Sequence, residues 1–175
     1  MQESWPGRFF EDFKVGEVYR HQLGRTLTEV DNTWFTLLTC NTNQIHFNAD
    51  YAARSEFRRP LMNSCLTLSL VTGLSVPDIS QNVVANLGWD KVTLPAPVFA
   101  GDTIYAESEV LETRASKSRP GQGIVRVRTR GYKQDGTVVI EFERTVLVHS
   151  RQTTPKQQRP SPRSGPSGAG GKPDP

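Results

Sequence analysis

A change of hydrophobic period restricts this chain more than any other feature. Before residue 96 the apolar residues recur at helical spacing, and after it they recur at every second position. Residues 103–113, 124–133 and 137–149 read as three long strands, with Asp135-Gly136 between the last two as a two-residue hairpin turn. Such a turn sets the register, so Arg130 faces Glu141 and Arg128 faces Glu143. The apolar side of these strands needs a cover, and the segment 65–74, capped by Asn63 or Ser64, supplies one. Leu66, Leu70 and Leu74 fall on one side of it and Leu68 and Val71 on another. A helix apolar around so much of its circumference is surrounded by other structure. The expected class is α+β, with an antiparallel sheet wrapped around a central helix.

Upstream, Thr28 stands before Glu29, Val30 and Asp31 in the pattern of a capping box. Val30, Trp34, Leu37 and Leu38 then fall at i, i+4, i+7 and i+8, giving an amphipathic helix that ends near Cys40. Asn48 can cap a second, short helix over 49–55, followed by a loop over 56–60. The basic stripe Arg126, Arg128 and Arg130 invites a reading as a phosphate-binding row. Two of its three members have acids opposite them, which favours cross-strand pairs on a solvated face.

The 175 residues suit one domain, placed at 1–150, followed by a tail at 151–175. The tail holds six of the twelve prolines and has no large apolar residue, so it is expected to be disordered. The formal net charge of +3 arises in the tail, which has five basic residues against Asp174. A basic arm for nucleic acid and a solubilising appendage are both open readings. The absence of interleaved aromatics favours the second, and no nucleic-acid partner is expected. Cys40 and Cys65 make neither a disulfide framework nor a metal-binding pair of CxxC runs, which points to a reducing compartment. The first residues lack the basic and apolar regions of a signal peptide, and the longest apolar-biased run, 66–76, is broken by polar residues. A soluble, cytoplasmic protein without a membrane partner is expected.

Three histidines limit the acid–base candidates. His21 lies in a polar stretch and His149 at the end of the last strand, and both read as solvated bystanders. His46 lies in a dense polar run, Asn41-Thr42-Asn43-Gln44-Ile45-His46-Phe47-Asn48, between two helices. Amide side chains there can hold water and orient an imidazole. A histidine bonded to its loop for structural reasons fits the same spacing.

The run TLTEVDNTWFTLLTCNTNQIHFNADYAARSEFRRPLMNS resembles the hydratase motif of MaoC-like dehydratases, the (R)-specific enoyl-CoA hydratases, usually written D-x-N-P-x-H and then F-x-x-P-x-x-H-G. PVFAGDTIYAESEV is similar to the P-V-F-x-G-D strand entry of the same family. The resemblance covers roughly residues 8–151 and implies a hot-dog fold paired into a homodimer. It also implies an acyl-CoA substrate, reversible addition of water to a 2-enoyl-CoA, and no metal or redox cofactor. His46 matches the catalytic histidine, and Asn41 stands at the place of the catalytic aspartate. Asn43 matches the motif asparagine, Gln44 replaces the proline, and Asn63-Ser64 replace His-Gly at the start of the central helix. By resemblance, the helix start receives the thioester oxygen on backbone N–H, a task that suits its dipole.

An amide orients water but takes no proton at neutral pH. Three readings follow: His46 is the sole protein base, the substrate brings a carboxylate, or the site only binds. Arg58-Arg59 precede Pro60, with Arg58 where the family often has glycine. They read either as partners of a substrate carboxylate, as in mesaconyl-CoA or itaconyl-CoA, or as solvated loop arginines. Two other activities remain on this fold, a non-catalytic acyl-CoA binder and an acyl-CoA thioesterase. The latter usually needs a carboxylate near the central helix, and Asn63-Ser64-Cys65 offers none.

Overall fold

The computed structural model describes residues 6–155. Its strands are β1 (Val18–Arg20), β2 (Arg25–Thr26), β3 (Val83–Thr93), β4 (Thr103–Ala115), β5 (Gln122–Lys133) and β6 (Val138–His149). Its helices are α1 (Glu29–Leu38), α2 (Ala49–Ala53) and α3 (Ser64–Ser75), the last continuing through one wider turn, Val76–Ser80. One antiparallel sheet runs in the order β1-β4-β5-β6-β3, and β2 pairs with the end of β4. The sheet curls around α3 in the expected hot-dog arrangement. Val71 and Leu74 of α3 share one core with Ile104, Ala106, Ile140 and Phe142 of the strands. Gly131 makes this contact possible: a Cβ there would lie 2.4 Å from the Val71 side chain.

The second half of the chain follows its expected register with one local change. Gly136, at φ 86°, closes a loop in which Lys133 N–H donates to the Thr137 carbonyl at 2.9 Å, so the turn is one residue longer than expected. A shift between Gly131 and Tyr132 absorbs the extra residue, and Arg130 still faces Glu141 and Arg128 still faces Glu143. The basic stripe is used within the sheet. Arg130 pairs with Glu141 at 2.6 Å, Arg128 with Glu109 of β4 at 3.3 Å, and Arg126 with Glu143. Lys91 and Arg126 hold the Glu143 carboxyl below the usual carboxylate range.

Strand β3 escapes sequence reading because its pairing with β6 shifts three times, between Val83 and Ala85, Asn86 and Gly88, and Asp90 and Thr93. Each shift breaks the two-residue alternation. The helix expected near the start is α1, capped by the Thr28 side chain. Its apolar stripe nonetheless points away from the core. Val30, Trp34, Leu37 and Leu38 are 63–74% exposed, while the polar Asn32 and Thr36 are buried.

Two expectations are corrected. His21 is no bystander: it is 6% exposed, its Nδ1 lies 2.9 Å from Asp78 and its Nε2 lies 2.9 Å from the Ser108 hydroxyl, which in turn meets Thr129 at 2.8 Å. A carboxylate only accepts, so Nδ1 carries the proton and Nε2 accepts from Ser108. The Asp–His–Ser order is that of a hydrolase triad, but Ser108 is fully buried. Burial, aided by the charges of Arg144 and Arg8 and opposed by Asp78, keeps this imidazole's proton affinity below its ordinary 6.5. As pH falls through about 6.5, the unfolded chain gains a proton that the folded chain resists, so folding loses stability. The melting temperature is therefore expected to drop between pH 7.5 and 5.5, and to drop less in His21→Gln. Equal slopes for the two proteins would refute this role.

The second correction concerns the tail, expected from residue 151. Arg151 pairs with Asp12 and lies 4.8 Å from the centre of the Phe9 ring, and Thr153 donates to the Gly121 carbonyl, so the folded body reaches at least to Thr153. The rest of the expected tail, from 156, lies outside the described residues. No helix among the described residues is long and apolar enough to cross a membrane.

Candidate active site

The site is built on Asn32, a residue that the apolar periodicity of α1 gives no reason to single out. Its amide nitrogen donates to the His46 carbonyl at 2.6 Å and to the Leu61 carbonyl at 2.9 Å, and its Oδ1 accepts from Asn63 N–H at 2.9 Å. One buried side chain thus joins α1, the histidine loop and the start of α3. It satisfies backbone groups that would otherwise be buried without partners.

The loop shapes itself around His46. Asn41 Oδ1 accepts from Asn43 N–H at 2.9 Å, and Asn43 Oδ1 accepts from Ile45 N–H at 3.2 Å, two successive turns that lead into a single 3₁₀ turn over Gln44–His46. Asn48 then caps α2 by accepting from Tyr51 N–H. His46 is 8% exposed, and its Nδ1 lies 2.8 Å from the Leu61 carbonyl. A carbonyl accepts only, so Nδ1–H is the donor, and in the neutral imidazole the lone pair is then on Nε2.

His46 lines a cavity of about 200 Å³ together with Glu29, Asn32, Arg59, Pro60 and Met62. Glu29, the first residue of α1, has no hydrogen-bond or ion-pair partner among the described residues and is the one carboxylate of the lining. A second, more apolar cavity of about 250 Å³ lies over the start of α3, lined by Phe57, Met62, Ser64, Thr67 and the 94–98 segment. Met62 borders both.

The expected site residues distribute unequally over these cavities. His46 faces the first and Ser64 the second. Asn63 is buried and caps α3, accepting from Cys65 N–H at 2.9 Å. Asn41 and Asn43 line neither cavity, their side-chain oxygens being engaged in the loop. Arg58 also lines neither. It adopts φ 60°, the left-handed region in which glycine is relaxed. Arg59 lines the first cavity in its place, with its guanidinium carbon 3.9 Å from the Phe99 ring centre. Among the described residues no group of three His, Cys, Asp or Glu side chains could hold a metal ion.

Known proteins are similar to this chain in sequence and in fold. The chain is 35% identical over 155 residues to a mesaconyl-CoA hydratase of Cereibacter sphaeroides, covering 89% of this chain and 45% of that one. It is 32% identical over 146 residues to an (R)-specific enoyl-CoA hydratase of Rhodospirillum rubrum, covering 82% of this chain and 93% of that one. The crystal structure of a MaoC domain protein dehydratase from Chloroflexus aurantiacus superposes with a TM-score of 0.82 at 34% identity, over 93% of this chain and 46% of that one. The chain thus spans about half the length of the mesaconyl-CoA hydratase it matches. A family model described as mesaconyl-CoA hydratase matches residues 2–161. With a family model matched over almost the whole of the folded body and a full-length relative at 32% identity, the chain belongs to the mesaconyl-CoA hydratase family, among the MaoC-like (R)-specific enoyl-CoA hydratases.

Proposed function

We propose that this protein adds water reversibly to a 2-enoyl-CoA, giving a 3-hydroxyacyl-CoA, and that its substrate is a branched dicarboxylic thioester of the mesaconyl-CoA kind. The observation that carries the reading is the tautomer of His46: with Nδ1–H held by Leu61, Nε2 is a base turned to a cavity. Water gives one proton to Nε2 as its oxygen bonds to C3, and the π electrons move onto the thioester oxygen. That oxygen meets the backbone N–H of Ser64 at the start of α3, where the helix dipole favours negative charge. The imidazolium then returns its proton to C2, so the step balances with water alone and needs no cofactor. Glu29 holds the second O–H of the water and stabilises the imidazolium, the work that a carboxylate at position 41 would otherwise do.

Incubation with mesaconyl-CoA and with crotonyl-CoA tests this reading. Loss of the enoyl absorbance without free thiol supports hydration. Release of thiol would identify a thioesterase, and binding without turnover would identify an acyl-CoA carrier or sensor.

The working unit in this reading is a homodimer. The outward stripe of α1 is exposed, and so are Leu87, Trp89 and Val92 of β3, a strand at the edge of the sheet, and both are surfaces that a second copy could cover. Light scattering should give twice the 19.5 kDa chain mass, and Trp34→Glu should shift it toward the monomer. Monomer mass for the parent protein at micromolar concentration would sink this part of the reading.

A further inference from the structure

We propose that Arg59 is the residue that selects an acyl chain bearing a carboxylate. This rests on the hydratase reading and assigns the substrate's second acid group a place in the site. Several cations among the described residues are matched by acids: Arg25 by Asp31 at 2.6 Å, Arg54 by Asp50 at 2.7 Å, and Lys133 by Asp102 at 2.8 Å. Arg8 and Arg151, which also lie over aromatic rings, pair with Asp78 and Asp12 as well. Arg59 has no acid partner and no hydrogen bond among the described residues. Its guanidinium carbon lies over the Phe99 ring, 3.9 Å from the centre, and Phe99 is itself buried, packed against Phe57 at 6.3 Å with Lys133 Nζ 5.7 Å from the same ring.

An aromatic shelf restrains a guanidinium without using its donors, because the ring meets the cation's face while the N–H groups lie in the plane at its edges. The result is a preorganised fork with its bidentate edge free, in the lining of the cavity that His46 faces. Carboxylates are the anions that such a fork matches in two parallel hydrogen bonds. Glu29, the carboxylate of the same lining, repels a second carboxylate, so the anionic end of a substrate has one favourable place, beside Arg59. A phosphate of CoA would satisfy the same donors. The pantetheine arm, however, carries those phosphates far from the reacting carbons, whereas Arg59 shares a cavity with the base.

The two sources of the anion are separable. Arg59→Met and Arg59→Lys are made in the full chain, and kcat/KM is measured for mesaconyl-CoA and for crotonyl-CoA, which carry the same CoA and differ in the acyl carboxylate and in one methyl branch, the branch being unaffected by the charge at position 59. Loss of a charge-assisted bidentate pair should lower the mesaconyl-to-crotonyl ratio about 10–100-fold in Arg59→Met. Arg59→Lys, which keeps the charge and loses the planar fork, should fall between. A ratio equal to that of the parent protein in both variants, with both substrates impaired alike, would place a CoA phosphate or a purely structural role at Arg59 and overturn the inference. The same ratio read from equilibrium binding of the two thioesters decides the matter even without turnover, an outcome that would count against the hydratase reading alone.

Discussion

Replacing His46 with alanine should remove hydratase turnover by about 10²–10⁴-fold, the range expected for one general base. Stability should change little by comparison. The lost hydrogen bond to Leu61 contributes about 1 kcal/mol, and the Leu61 carbonyl keeps the Asn32 amide as a donor. A folded His46→Ala protein as active as its parent would reject the assignment of the base. Glu29→Gln separates the two roles in the cavity. The amide still accepts from water but cannot stabilise an imidazolium, so kcat should fall by less than in His46→Ala and the pH–rate profile should move. Restoring the carboxylate at position 41 with Asn41→Asp is a weaker intervention than its place in the motif suggests, because the side-chain oxygen there is held by Asn43 N–H at 2.9 Å.

Asn32→Leu should lower the melting temperature by about 5–20 °C. The substitution is close to isosteric and leaves the His46 carbonyl and Asn63 N–H buried without their partners, at about 1–3 kcal/mol each. In a domain of this size each kcal/mol shifts the transition by roughly 2–4 °C. Asn32→Asp should be no milder: it keeps the acceptor for Asn63 but replaces the amide donors with a buried charge beside two carbonyls. The folded fraction should also lose activity, since Asn32 sets the distance between the histidine loop and the start of α3. A melting temperature within about 2 °C of the parent would show that Asn32 does not clamp these segments together.

Local rules carry far in this chain where local interactions decide the outcome. The Thr28, Asn48 and Asn63 caps each serve the helix they announce, because a cap joins a side chain to a backbone group two or three residues away. The Arg130–Glu141 pairing is legible in the residue order because the hairpin turn sets the register and the later shift compensates for its extra residue. The place of His46 in a structured polar loop is legible for the same reason, each asparagine bonding a nearby N–H.

What residue order alone does not reveal depends on contacts across the fold. His21 stands between the polar Arg20 and Gln22, yet it is buried against Asp78, 57 positions away, and Ser108, 87 positions away. The stripe of α1 has the period of a core-facing helix, but amphipathicity marks an apolar face without naming what covers it, and the sheet already surrounds α3. Of the two adjacent arginines, Arg58 turns into the left-handed region and away from the site, while Phe99, 40 residues downstream of Arg59, holds that guanidinium at the cavity. Residue order therefore suffices for the class of fold, the helix starts, the pairing of β5 with β6 and the position of the histidine in its loop. Which polar side chains are buried, which arginine lines the cavity and which carboxylate shares that cavity with His46 are settled by the folded chain, because each follows from the meeting of segments far apart in sequence.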